Sequence, residues 1–195
     1  MPMVESLRKW GTMDGLLTAA FGGSPVVFKV GTKVVYPSHG VAQIVGREKK
    51  QLDGEEVTYL VLSVPQRGWG ASGDMKVSVP EDRAEDLGVR TAISEEDAAD
   101  VLEVLAATEV RVPSNWSRRF KNHQEKLRSG DVYECAEVVR NLAIRQRNGS
   151  LSTAEKAMYA NARHILTSEL AVSWGVDDIE AGLRVDQALG LVSSD

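Results

Sequence analysis

The sequence predicts an α+β protein: a small five-stranded β-barrel followed by a compact all-α domain of about five helices. Three observations carry this. Up to Pro80 the apolar residues come in short β-branched and aromatic runs broken by turn residues. Beyond Pro80 the apolar period lengthens to that of a helix. That second part also repeats a helix-start signal, a small polar residue followed three positions later by an acid. The boundaries expected are a leader over 1–27, the barrel over 28–87 and the helical domain over 94–190.

Residues 1–27 lack a clear period and hold Gly11, Gly15, Gly22, Gly23 and the Ser24-Pro25 pair. They read as a flexible leader, with one amphipathic turn around Leu16 and Leu17. The β pattern starts at Phe28, the first of five expected strands. Lys33-Val34-Val35-Tyr36 stops at the turn Pro37-Ser38-His39-Gly40, and Val41 to Lys49 follows. Asp53-Gly54 is a hairpin turn, because both residues tolerate positive φ. Val57 to Val64 is the strongest strand by β-propensity. Arg67 to Asp74 makes a glycine-rich hairpin tip, and Met75 to Val79 is the fifth strand, closed by Pro80. A barrel this small is filled by its own side chains, so it binds through a rim or an edge strand.

Pro80 opens a helical turn from Glu81 to Leu87, stopped by Gly88. Ser94 starts a helix with Val101, Leu102 and Leu105 on one face. After Pro113, Ser114 or Asn115 caps a helix that runs to Ser129-Gly130. Asp131 to Glu134 and Ser152 to Glu155 are capping-box arrangements. They start two helices whose stripes are Val132, Cys135, Ala136, Val139, Leu142 and Ala143, then Met158, Ala162, Ile165, Leu166 and Leu170. A last helix spans Asp177 to Leu189. Short turns force neighbouring helices to fold back on one another, giving a helical domain separate from the barrel.

The bulk properties narrow the function classes. The hydrophobic fraction of 43% and charged fraction of 26% are ordinary globular values. No apolar run is long enough to span a bilayer, and the single cysteine, Cys135, suits a reducing cytoplasm, the expected location. The net charge of −5 hides an asymmetry. Residues 114–165 hold ten Lys/Arg against five Asp/Glu, while Glu81 to Glu109 hold ten acids and two arginines. That points to one local surface facing a polyanion.

Catalytic constellations are not seen. His39, His123 and His164 each lack a ligand-spaced companion, and no phosphate loop or nucleophile elbow occurs. Cys135 falls on an apolar helix face and reads as a buried hydrophobe. Glu95, Glu96 and Asp97 complement a helix N-terminus. Neither an enzyme nor a cofactor is expected.

The densest chemistry is Asn115-Trp116-Ser117-Arg118-Arg119-Phe120-Lys121. Arg118 and Lys121 share a face by i, i+3 spacing; Arg119, His123 and Lys126 lie along another. Cations so spaced suit phosphates along one DNA strand. Trp116, Phe120 and Leu127 also lie near one stripe, so by spacing alone Trp116 either anchors the helix on its core or protrudes from it.

The segments Phe28-Lys29-Val30-Gly31, Val34-Val35-Tyr36-Pro37-Ser38-His39-Gly40, Tyr59-Leu60-Val61-Leu62, Val79-Pro80 and Asn115 to Lys121 resemble the CarD/CdnL family of bacterial transcription regulators, the actinobacterial type above all. Ser129-Gly130-Asp131, Ala136-Glu137-Val138-Val139-Arg140 and Leu151 to Lys156 are similar to that family's helical domain. The resemblance implies a Tudor-like barrel that pairs edge to edge with the RNA polymerase β subunit at its β1 lobe (the protrusion), here through Lys50, Lys76, Val77 and Ser78. It implies a helical domain on promoter DNA at the upstream edge of the bubble. Trp116 matches the family's minor-groove wedge, and Asn115, Arg118, Arg119 and Lys121 match its neighbouring contacts. Ser78 stands where the family tends to carry an arginine. The tip holding Trp69 is longer than in the family; Trp69 is either a partner anchor or part of a capped hairpin. Weak sequence specificity and a monomer are expected. The rival reading is a protein-interaction adaptor without direct DNA contact; a repair-coupling module would need an ATP motor motif, which is absent.

Overall fold

A computed structural model of the chain describes residues 28–52, 54–65, 73–108 and 112–192. The leader, Asp53 of the expected hairpin turn, and the tip residues 67–72 with Trp69 lie outside the described residues.

Four strands form one antiparallel sheet in the order β1-β2-β3-β4. They are β1 (Lys33–Tyr36), β2 (Gly40–Leu52), β3 (Glu55–Pro65) and β4 (Asp74–Pro80). The five strands expected are thus four among the described residues. The segment from Phe28 is interrupted by a turn, in which the Thr32 amide donates to the Lys29 carbonyl at 3.1 Å and Gly31 takes φ +91. It still touches β2, through Gly31 N to the Ile44 carbonyl at 2.7 Å. Its role is a plug. Phe28 is buried in a core with Val34, Ile44, Leu60, Leu62 and Val79, and Arg47 Nη2 donates to its carbonyl.

The sheet curls into a half-barrel. A register shift between Ile44 and Gly46 places a bulge in β2, which bends the strand and raises its twist. On the far side of β1, Val35 and Arg90 form an isolated bridge, with Val35 N to the Arg90 carbonyl at 2.7 Å and Arg90 N back to Val35 at 3.2 Å. That bridge occupies the β1 edge. The edge of β4 has no strand partner among the described residues.

A 3-10 turn (Glu81–Arg83) follows β4, and five helices come next: α1 (Glu95–Ala106), α2 (Trp116–Ser129), α3 (Val132–Asn148), α4 (Thr153–Trp174) and α5 (Asp178–Ala188). Each starts where a side chain satisfies orphan backbone amides: Ser94, Asn115, Asp131, Ser152 and Asp177 respectively. The full capping box occurs at α4, where Ser152 and Glu155 exchange side-chain and backbone bonds. Gly130 at φ +75 ends α2 in the left-handed conformation.

The helices close over a second core that includes Val101, Leu105, Val139, Leu142, Leu166 and Leu170. Truncating a fully buried leucine such as Leu142 or Leu166 costs about 2–5 kcal/mol. The sheet and the helices meet where α4 packs on β2, and Val41 N donates to Ser168 Oγ at 3.3 Å. No helix among the described residues is long and apolar enough to cross a membrane.

Candidate nucleic-acid interface and sheet edge

The basic segment begins as a capped helix end. Asn115 Oδ1 accepts the Arg118 amide at 3.0 Å, which fixes the first turn of α2 and puts Trp116 at its first position. Trp116 is 45% exposed. Its ring stacks on Phe120, with centroids 5.2 Å apart and planes at 19°. Phe120 in turn packs partly on the helical core. The two alternatives left by spacing are therefore divided between two residues: Phe120 anchors the helix, and Trp116 lies on its outer side.

A polar network holds the indole from below. Trp116 Nε1 donates to Ser152 Oγ at 3.4 Å. The Ser152 amide and hydroxyl both donate to Glu155 Oε2 at 3.0 Å, and Glu155 Oε1 accepts Arg119 Nη2 at 2.9 Å and Nε at 3.2 Å. Arg145 Nε stands 3.3 Å from the same oxygen. The Arg119 and Glu155 side chains are 4% and 3% exposed. Burial alone would raise the Glu155 carboxyl, but the Ser152 amide, the Arg119 guanidinium and the Ser152 hydroxyl outweigh it and hold the group at about 2.

These contacts turn Arg119 inward, away from the exposed face of Arg118 and Lys121: its guanidinium is enclosed, with Nη1 donating to the carbonyls of Pro113 and Ser114 at 3.1 and 3.0 Å and the other nitrogens on Glu155. It clamps the segment before α2 and the start of α4 onto α2. His123, one turn further along, is 1% exposed, and neither ring nitrogen has a hydrogen-bond partner among the described residues. Burial, then the Arg119 and Lys126 charges, push its pKa down to about 4 against a weaker opposite pull from Glu155.

Arg118 and Lys121 do face solvent. Lys121 pairs with Glu125, at 3.8 Å across one helical turn. The starts of α2 and α4 lie side by side through the Trp116–Ser152 contact, so the N-terminal ends of both helices stand beside the indole.

On the sheet, Lys76 and Ser78 are exposed on one face of β4, while Val77 points inward and is half-buried against the core. Lys50 of β2 reaches across β3 to the same face, with Nζ 3.5 Å from Ser78 Oγ and 5.2 Å from the Tyr59 ring centre. The structure thus gathers the four sheet residues singled out by sequence around the β4 edge. Ser152 and Glu155 were visible beforehand only as a capping box; nothing local signals that Glu155 also receives Arg119.

Comparisons with known proteins cover both regions. A family model described as "CarD-like/TRCF RID domain" matches residues 28–93, and one described as "CarD, C-terminal domain" matches residues 100–186. A Bacillus subtilis (strain 168) protein named "Putative transcription factor YdeB" is 28% identical over 152 residues, which is 78% of this chain and 95% of that protein. With its sheet and its helices matched by the two CarD models in order, the chain belongs to the CarD-like family of transcription regulators.

Proposed function

We propose that this regulator docks on RNA polymerase through the β4 edge and stabilises the open promoter complex by placing Trp116 in the minor groove at the upstream edge of the bubble. One observation carries the reading most: an exposed, stacked tryptophan at a helix start, held by a buried ion network and flanked by the exposed cations Arg118 and Lys121. A flat ring so held can take the place of a lost base-stacking partner, offsetting an unstacking cost of roughly a few kcal/mol. Arg118, Lys121 and the two helix N-termini add phosphate attraction without reading bases, so sequence specificity is weak.

The sheet supplies a second hold. An unpaired strand edge offers alternating N–H and C=O groups to a strand of the polymerase β subunit at its β1 lobe, with Lys50, Lys76 and Ser78 beside it and Val77 supporting the strand from the core. No bond is made or broken in this scheme. A monomer that binds the open complex better than the closed one shifts the equilibrium by the difference in affinity. The family assignment supports the polymerase partner, because the model that matches the sheet is shared with transcription-repair coupling proteins.

The test places 2-aminopurine at the upstream fork of a promoter bound to polymerase. Adding the wild-type protein is expected to change its fluorescence as the neighbouring step unstacks, and Trp116→Ala is expected not to. An equal change with both proteins would sink the wedge and leave a docking protein without direct DNA contact.

A further inference from the structure

α4 carries a second buried carboxylate that the scheme above does not use. Glu169 lies fourteen residues beyond Glu155 on this helix. At helical geometry the two fall within about 40° of one face and about 21 Å apart along the axis.

The Glu169 side chain is 2% exposed. Its oxygens receive both Arg90 terminal nitrogens, Nη2 to Oε2 at 3.1 Å and Nη1 to Oε1, and Oε1 also accepts the Ile93 amide at 3.3 Å. Arg90 Nη2 donates further to the Gly130 carbonyl at 3.0 Å, at the turn between α2 and α3. The Arg90 backbone is the bridge to Val35 of β1. One arginine thus joins the sheet, the α2–α3 turn and α4. A carboxylate out of water is tolerated only when paired and hydrogen-bonded, and here Arg90 and Ile93, both in the segment that leaves the sheet, supply those bonds.

The contacts around this pair are at backbone range. The Ser38 hydroxyl donates to the Leu127 carbonyl at 3.3 Å. Gly40 has φ +80, and a Cβ there would stand 2.7 Å from Ser168 Oγ and 3.2 Å from Ile165 Cα. A Cβ on Gly130 would stand 3.4 Å from that of Pro37. Such close approach resembles a packed interior more than a wet contact between freely rotating domains.

We infer that Glu169 is a positioning residue: with Arg90 it locks the sheet onto α4, so that the β4 edge and Trp116 are held at one separation and orientation. This rests on the docking-and-wedge reading. Its consequence is that polymerase docking delivers Trp116 to the fork at high effective concentration, whereas a loosened joint spreads it over many orientations.

The test uses the full chain with polymerase and a promoter fragment. Glu169→Gln and Gly40→Ala, the second of which keeps the ion pair intact, are expected to bind polymerase alone as wild type does. Their open-complex lifetimes are expected to fall by about fivefold or more. In Glu169→Gln carrying also Pro37→Cys and Gly130→Cys, the Cβ atoms lie near disulfide range; oxidation is expected to restore the lifetime and reduction to remove it again. Lifetimes for both variants within about twofold of wild type, or an oxidised pair no better than its reduced form, would overturn the lock. A wild-type protein that neither binds polymerase nor lengthens the open complex would instead strike the docking reading beneath it.

Discussion

Arg119–Glu155 and Arg90–Glu169 pair the same two side-chain types, and both carboxylates lie on α4, yet their surroundings differ. At the first pair both partners are enclosed, at 4% and 3% exposure, and the carboxylate also caps its own helix. At the second the carboxylate is buried but the arginine keeps a third of its side chain in solvent. The first therefore belongs to the interior of the helical bundle, where removing one partner leaves a buried charge without its enclosed counter-ion. The second is a joint, where a freed arginine can turn to water. The same chemistry supports folding in one place and geometry in the other.

The largest expected effect breaks this comparison if it fails. Arg119→Ala is expected to lower unfolding free energy by about 3–5 kcal/mol, because buried Glu155 loses its enclosed counter-ion and keeps the half-exposed Arg145 in its place. Glu169→Gln is expected to cost less, about 1–3 kcal/mol for its lost charge-assisted bonds. Denaturant titration of both variants checks the order. A nearly unperturbed Arg119→Ala with weakened DNA binding would mean that this guanidinium reaches phosphate after all.

Acidification sharpens the first region. His123 has its folded pKa pushed down to about 4 from 6.5, so the unfolded chain binds the extra proton first as pH falls. Stability is then full above about pH 6.5 and declines toward pH 4, by on the order of 3 kcal/mol across that window. Glu155, held at about 2 against an ordinary 4.5, adds a further loss as pH drops below 4.5. In His123→Leu the decline between pH 6.5 and 4.5 is expected to flatten while the lower limb stays. Thermal melts across this range would show it; an unchanged upper limb would assign the decline to other groups.

The smallest effect concerns the outer face of α2. Lys121→Ala is expected to leave stability within about 0.5 kcal/mol, since its ion pair with Glu125 is exposed. It is expected to reduce the slope of log affinity against log salt for promoter DNA by about 1. A slope equal to wild type would remove Lys121 from the phosphate contacts.

Much of this architecture was legible in the sequence, and the exceptions have physical causes. The helix starts at Ser94, Asn115, Asp131, Ser152 and Asp177 follow from side chains that satisfy orphan amides within three residues, which is local information. The α3 and α4 stripes were legible because a repeated apolar face leaves one way to pack. Phe28 was misread as a strand, because β-propensity does not register that Gly31 turns the chain at positive φ. Arg119 was misread as outward because its partner, Glu155, is thirty-six residues away and looked fully occupied as a cap. Arg90 and Glu169 carry no local signal, since seventy-nine residues separate them and neither sits in a motif. Helix faces are local, whereas ion pairs between elements depend on how those elements meet.

The central claim is that Trp116, not the bulk of the basic helix, holds the promoter open. The most direct measurement is the lifetime of the polymerase–promoter open complex after competitor challenge, with wild-type protein, Trp116→Ala and no protein, at matched polymerase occupancy. The account predicts that wild type lengthens the lifetime and that Trp116→Ala, though fully bound to polymerase, returns it close to the value without protein. A Trp116→Ala protein that lengthens it as much as wild type does would contradict the account.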